Sequence, residues 1–139
     1  MHRARDGHGD ARPLTLRQAL AALVLALSVA AAPAAPPPDA QREIDGLIAA
    51  LGHSGCQFQR NGRWYPASDA QAHLRRKYDW LRKRDLVDSA EQFIVRAGTG
   101  SSISGQAYQV RCAGRAAEPS AAWLRARLAA LRAAPADDR

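Results

Sequence analysis

The chain has 139 residues and carries 20 Lys and Arg against 13 Asp and Glu, a formal net charge of +7 at pH 7. That length argues against a multidomain assembly and for one domain with a modest core. With two cysteines and no paired CxxC or HxxxH spacing, it also lacks a zinc-ribbon framework.

The first 17 residues are polar and include Arg3, Arg5, Arg12 and Arg17; an apolar run follows, "ALAALVLALSVAAAPAA". Basic, then apolar, then small is the grammar of a secretory signal peptide. Ser28-Val29-Ala30 and Ala32-Pro33-Ala34 supply small residues for cleavage. The uninterrupted apolar stretch from Ala19 to Ala32 is shorter than the roughly 20 residues of a spanning helix. No cysteine stands near the cleavage region to carry a lipid. The expectation is therefore a leader over 1–34 and a periplasmic product. Removing the leader's four arginines and two aspartates lowers the net charge from +7 to +5. An exported basic protein meets anionic envelope surfaces, polysaccharide or acidic proteins, and nucleic acid is not expected as a partner.

A Pro/Ala-rich linker covers 35–40, and one domain is expected over 41–133, with a flexible tail over 134–139. Ile44, Leu47, Ile48 and Leu51 mark the first helix by their i, i+3, i+4, i+7 spacing, with Asp39 as N-cap and Gly52 as stop. "CQFQRNGRWYP" reads as a β-hairpin around Asn61-Gly62, since both central residues of its turn need positive φ. The turn pairs Arg60 with Arg63, Gln59 with Trp64 and Phe58 with Tyr65. Cys56, Phe58 and Tyr65 then face the core and Trp64 faces out. A second helix follows Ser68, with Ala70, Leu74, Tyr78 and Leu81 inward. A third, capped by Asp88 or Ser89, buries Ala90, Phe93, Ile94 and Ala97 and ends at Gly98. After the loop Thr99–Gly105 comes a third strand, Ala107–Cys112, with Tyr108, Val110 and Cys112 on one face. Ser120 opens a fourth helix with Leu124, Leu128 and Leu131 inward. The order predicts an α+β fold: a three-stranded antiparallel sheet packed against about four helices.

Cys56 and Cys112, an even pair in an oxidising compartment, read as a disulfide. The competing His53-x-x-Cys56 metal pattern has no companion motif, so no metal and no cofactor are expected.

Four stretches, "FQRNG", "AHLRRKY", "SAEQFI" and "SSISGQAYQV", follow one another from Phe58 to Val110. In that order they resemble the YfeK-like family, small exported proteins of Gram-negative bacteria with no assigned function. The resemblance extends over roughly Gln41 to Leu131, with Ser89 where the family usually has Thr. It implies export and a single domain, and it transfers no catalytic residue.

The serine loop sets three hydroxyls among glycines. As a phosphate cradle it stands in the wrong order, helix then loop then strand, where a cradle opens a helix. Gly100-Ser101-Ser102-Ile103-Ser104 also misses the G-x-S-x-G elbow. Ser101, Ser102 and Ser104 therefore read first as turn-forming hydroxyls. The leading expectation is a non-catalytic binding module whose contact surface joins Trp64, His73 and these three serines, for an unknown envelope ligand or protein. The alternative is a small envelope hydrolase with a loop serine as nucleophile and His73 as base. A further alternative is weak adhesion to anionic surface through Arg75, Arg76, Lys77, Arg82, Lys83 and Arg84.

Overall fold

A computed structural model describes residues 35–135 and, before them, position 9 alone; the rest of the expected leader and positions 136–139 lie outside the described residues. The elements are α1 (Pro38–Gly52), β1 (Gln57–Arg60), β2 (Arg63–Pro66), α2 (Ala67–Arg82) and α3 (Ala90–Phe93), which widens into a π-helical turn over Ile94–Gly98. Then come β3 (Gln109–Arg111), β4 (Glu118–Pro119) and α4 (Ser120–Ala133). Among the described residues no helix is long and apolar enough to cross a membrane.

The fold is α+β, with helices on one face of an antiparallel sheet in the order β2-β1-β3-β4. The expected three strands are four. The additional one, β4, is two residues long, pairs with Gln109 and Val110, and contains Pro119. So short a strand, with one donor removed by proline, has no alternation to read and can lie only at an edge. The third strand is also shorter than the expected Ala107–Cys112, because Ala107 pairs instead with Gly100 in a separate antiparallel bridge.

The hairpin register is the expected one: Arg60 opposite Arg63, Gln59 opposite Trp64, Phe58 opposite Tyr65. Asn61 and Gly62 both take positive φ, 50° and 78°, as a two-residue hairpin turn requires. β1 pairs on its other side with β3, Phe58 opposite Val110. Cys56 and Cys112 form a disulfide with their Cα atoms 4.3 Å apart.

The helix faces follow the apolar spacing. Ile44, Leu47, Ile48 and Leu51 of α1 are buried, as are Leu74, Tyr78 and Leu81 of α2. Ala90, Phe93, Ile94 and Ala97 are buried on α3 and its π turn. Phe93 meets Tyr78 edge to face at 5.8 Å, and Phe58 meets Trp123 of α4 the same way at 5.7 Å.

The helix starts differ from expectation at two of four places, while α4 opens at Ser120 as expected. Neither Asp39 nor Ser68 is a cap; Pro37, Pro66 and Pro119 precede α1, α2 and α4, each extended, with φ between −53° and −65°. Proline locks φ near this value, so the chain enters each helix on a rigid extended residue in place of a side-chain hydrogen bond. Only Ser89 caps in the expected way, its Oγ accepting from the Gln92 N–H. Gln92 Oε1 in turn accepts from the Asp88 N–H, the residue before the cap.

Two consequences can be measured. A bond closing 56 residues of sequence separation restricts the unfolded chain, so replacing both cysteines by serine is expected to lower unfolding free energy by about 4 kcal/mol. Urea denaturation of the two forms reads it. At Gly98 a Cβ would stand 2.4 Å from Cδ1 of the fully buried Leu124. Gly98→Ala is expected to destabilise by about 1–3 kcal/mol through overpacking, seen as a lower melting temperature with unchanged helical signal.

Candidate functional site

The inward face of β1 carries Cys56, Phe58 and then Arg60, because side chains alternate along a strand. An arginine at the end of a core-facing row must find polar partners or water. Arg60 finds His73, one of a stripe on α2 formed by Asp69, Ala72, His73 and Arg76 at i, i+3, i+4 and i+7. Between this stripe and the sheet lies a cavity of about 220 Å³. Leu51, Phe58, Ala70 and Leu74 supply apolar wall; Arg60, Tyr65, Asp69, His73, Arg76 and Tyr108 supply polar groups, with Ser120 from the start of α4.

The hydrogen bonds here have a fixed direction. Arg60 Nη1 lies 2.6 Å from His73 Nδ1, and His73 Nε2 lies 3.0 Å from Tyr108 Oη. A guanidinium only donates, so Nδ1 accepts and the imidazole proton resides on Nε2. That proton is donated to the Tyr108 hydroxyl oxygen. Lys77 Nζ donates to the same oxygen at 3.3 Å and to the Gly100 carbonyl at 2.9 Å. Tyr108 Oη thus accepts twice, and its own O–H remains to donate. On its other side the Arg60 guanidinium lies 4.8 Å from the Tyr65 ring centroid, a cation–π contact that holds it flat.

Charge in the cavity is mostly positive. Burial, and then the cations Arg60, Lys77 and Arg76, push His73 from its ordinary 6.5 down to about 4, so it is neutral at pH 7. Burial and Arg60 also lower Lys77. Burial raises Tyr108 against the opposing pull of Arg60, keeping it protonated. Arg42, Arg75, Arg82 and Arg132 have carboxylate partners. Among the described residues Arg60, Arg76 and Lys77 have none.

The sequence-predicted residues are only partly brought together. His73 lines the cavity; Trp64 and the three serines do not. Trp64 is on the opposite face of the sheet, with the Arg111 guanidinium 4.0 Å over its ring. Ser101 Oγ accepts from the N–H groups of Ile103 and Ser104. Ser104 Oγ donates to Asn61 Oδ1 at 2.5 Å and accepts from the Gln106 N–H. Ser102 is exposed. No loop serine hydrogen-bonds to His73, whose two nitrogens are taken by Arg60 and Tyr108.

The basic residues of α2 also divide. Arg75 pairs with Asp45 of α1, and Arg82 with Asp79. Arg84 stacks on Trp80 at 4.0 Å. Lys83 is exposed at the C-terminal end, while Arg76 and Lys77 turn toward the cavity side. Among the described residues no three His, Cys, Asp or Glu side chains gather as a metal site.

Arg60, Tyr65 and Tyr108 were missed as site residues. The signal was available for Arg60: the hairpin register itself puts a charge on the face assigned to the core. Tyr108 gave no such signal, since a buried tyrosine on a strand reads as packing.

Fold and site together define a small disulfide-tied α+β module with a cationic cavity between its sheet and second helix. The chain belongs to the Family of unknown function (DUF5329), whose model matches residues 38–132. It is similar to the Uncharacterized protein YfeK of Salmonella typhimurium, 36% identical over 69 residues that make up 49% of this chain and 56% of that one. The chain therefore spans little more than half the length of that relative, and the match supports the YfeK-like resemblance. No solved structure matches.

The neutral His73 makes stability depend on acid. Its folded value of about 4 is below the unfolded 6.5, so the unfolded chain takes up a proton first as pH falls. The stabilisation is complete above about 6.5 and is lost on the way down through about 4. Unfolding free energy measured across this window is expected to fall more steeply for the natural chain than for His73→Gln.

Proposed function

We propose that this protein is an exported, non-catalytic binding module of the periplasm, and that its site is the cavity around His73, built for a small anion with an apolar portion. Export is supported by the leader grammar of 1–34 and agrees with the Cys56–Cys112 disulfide.

One observation carries the ligand reading. Arg60, Arg76 and Lys77 cluster beside a cavity without a carboxylate partner among the described residues, and the hydrogen-bond direction Arg60 to His73 to Tyr108 ends on a free O–H donor. A site whose groups chiefly donate recognises an acceptor, and its charge selects an anionic one. The neutral imidazole fits this role. It passes on the orientation of Arg60 and adds no further charge to a crowded cationic site.

The non-catalytic part of the reading is supported by the commitments of the same groups. His73 has no nitrogen left for a serine proton, and a base near 4 is poorly matched to neutral pH. Turnover of an ester or glycan panel that disappears in His73→Ala would overturn it.

Calorimetric titration of the protein with acetate, benzoate and inorganic phosphate tests the ligand class. At least one is expected to bind, with affinity that weakens as salt is raised. Arg60→Ala is expected to reduce that affinity tenfold or more while leaving the disulfide and helical content intact. Binding that is absent for all three, or unchanged in Arg60→Ala, would sink the reading.

A further inference from the structure

We propose that the ligand of this cavity is a short zwitterion of dipeptide length, its carboxylate at Arg60 and Arg76 and its ammonium at Asp69. The inference rests on the anion-binding reading above and deepens it.

Asp69 is the one carboxylate lining the cavity, and it forms no ion pair among the described residues. Asp39, Glu43, Asp45, Asp79 and Glu91 each hold an arginine, whereas Asp85, Asp88 and Glu118, like Asp69, hold none among the described residues; of these unpaired acids only Asp69 lines the cavity. A carboxylate in the first turn of a helix is favourable whatever its task. Its place on the cavity stripe and its lack of an arginine are what point to a ligand cation. A simple dianion would meet repulsion at this end; an ammonium would not.

Spacing sets the length. Asp69, His73 and Arg76 belong to one helix that rises 1.5 Å per residue, so the acidic position stands about 6 Å below His73 and about 10 Å below Arg76 along the axis. Arg60 is held at the level of His73 by their hydrogen bond. An α-amino acid carries both charges on one carbon and cannot reach both ends. Extended chain spans roughly 3.3–3.6 Å per residue, so two residues bridge the shorter interval. The volume agrees: about 220 Å³ is smaller than the roughly 300–1,000 Å³ of sites for drug-sized ligands. Leu51, Phe58, Ala70 and Leu74 give small side chains an apolar wall.

Calorimetry of the whole protein with L-alanyl-L-alanine, its N-acetyl derivative and L-alanine decides the matter. Dialanine is expected to bind at least tenfold tighter than either of the others, and Asp69→Asn is expected to erase its advantage over the N-acetyl form. Equal binding of the N-acetyl form, with no effect of Asp69→Asn, would overturn the dipeptide inference and leave the anion reading standing. Alanine binding as tightly as dialanine would overturn the length. If Arg60→Ala leaves all three affinities unchanged, or if none of the three binds and neither does acetate, benzoate or phosphate, the anion reading falls with it.

Discussion

The antiparallel pairing of β1 with β3 is the contact on which both the core and the cavity depend. It joins segments about fifty residues apart, with Gln57 opposite Arg111 and Gln59 opposite Gln109. Continued one step outward in each direction, the register sets Cys56 opposite Cys112 and Arg60 opposite Tyr108. The disulfide closes the first end. At the second end His73 of α2 hydrogen-bonds to both residues. One register thus produces a covalent staple at one end of the strand pair and a polar bridge to the neighbouring helix at the other. A slip of one residue would turn Arg60 and Tyr108 to the outer face and undo both.

The two ends differ in energetic character. The stapled end is apolar: Phe58 and Val110 pair beside it and meet the buried Leu124 and Trp123 region of α4. The open end gathers Arg60, Lys77 and Arg76 around a half-buried histidine, and the depressed His73 measures how unfavourable a further charge would be there. Grouping like charges beside a wall of Leu51 and Leu74 costs stability that a purely structural cavity could avoid with apolar residues. In a domain this small, such a cost must be offset elsewhere, and the disulfide and the packing of α1 against α2 are available sources. A bound anion, as the proposed site requires, would relieve the same repulsion.

What could be read from the residues depended on range. Helix faces were legible because periodicity is local: every residue assigned to the inner faces of α1 and α3 is buried. The hairpin was legible because Asn-Gly states its own geometry, and the disulfide because two cysteines allow one pairing. β4 was not, since two residues and a proline carry no pattern. The π turn was hidden too; Gly98 at its end packs close to Leu124, a long-range contact that local periodicity does not record. The cavity draws residues from positions 60, 65, 69, 73, 76 and 108, and no short motif contains them. His73 was picked out for its chemistry and Arg76 as one of the basic residues of α2; Trp64 and the loop serines do not line the cavity.

The serine loop gains a different role from this geometry. Backbone bonds from Tyr108 to Thr99 and from Ser101 to Gln106 fold it back on itself, and Ser101 ties its tip by accepting two amides. Two contacts then reach outward. Ser104 bonds to Asn61 in the hairpin turn, the residue after Arg60. The Gly100 carbonyl accepts from Lys77, which also donates to Tyr108. A Cβ at Gly100 would stand 2.8 Å from the Gln106 carbonyl oxygen, so the close approach needs glycine. The loop therefore braces two residues of the cavity and one beside it: Arg60 through its neighbour, Tyr108 through the chain itself, and Lys77 through its ammonium. The Ser101 and Ser104 hydroxyls, which look like nucleophiles in the sequence, hold the loop and the hairpin turn in place, while Ser102 is exposed and Ile103 at the tip is 97% accessible.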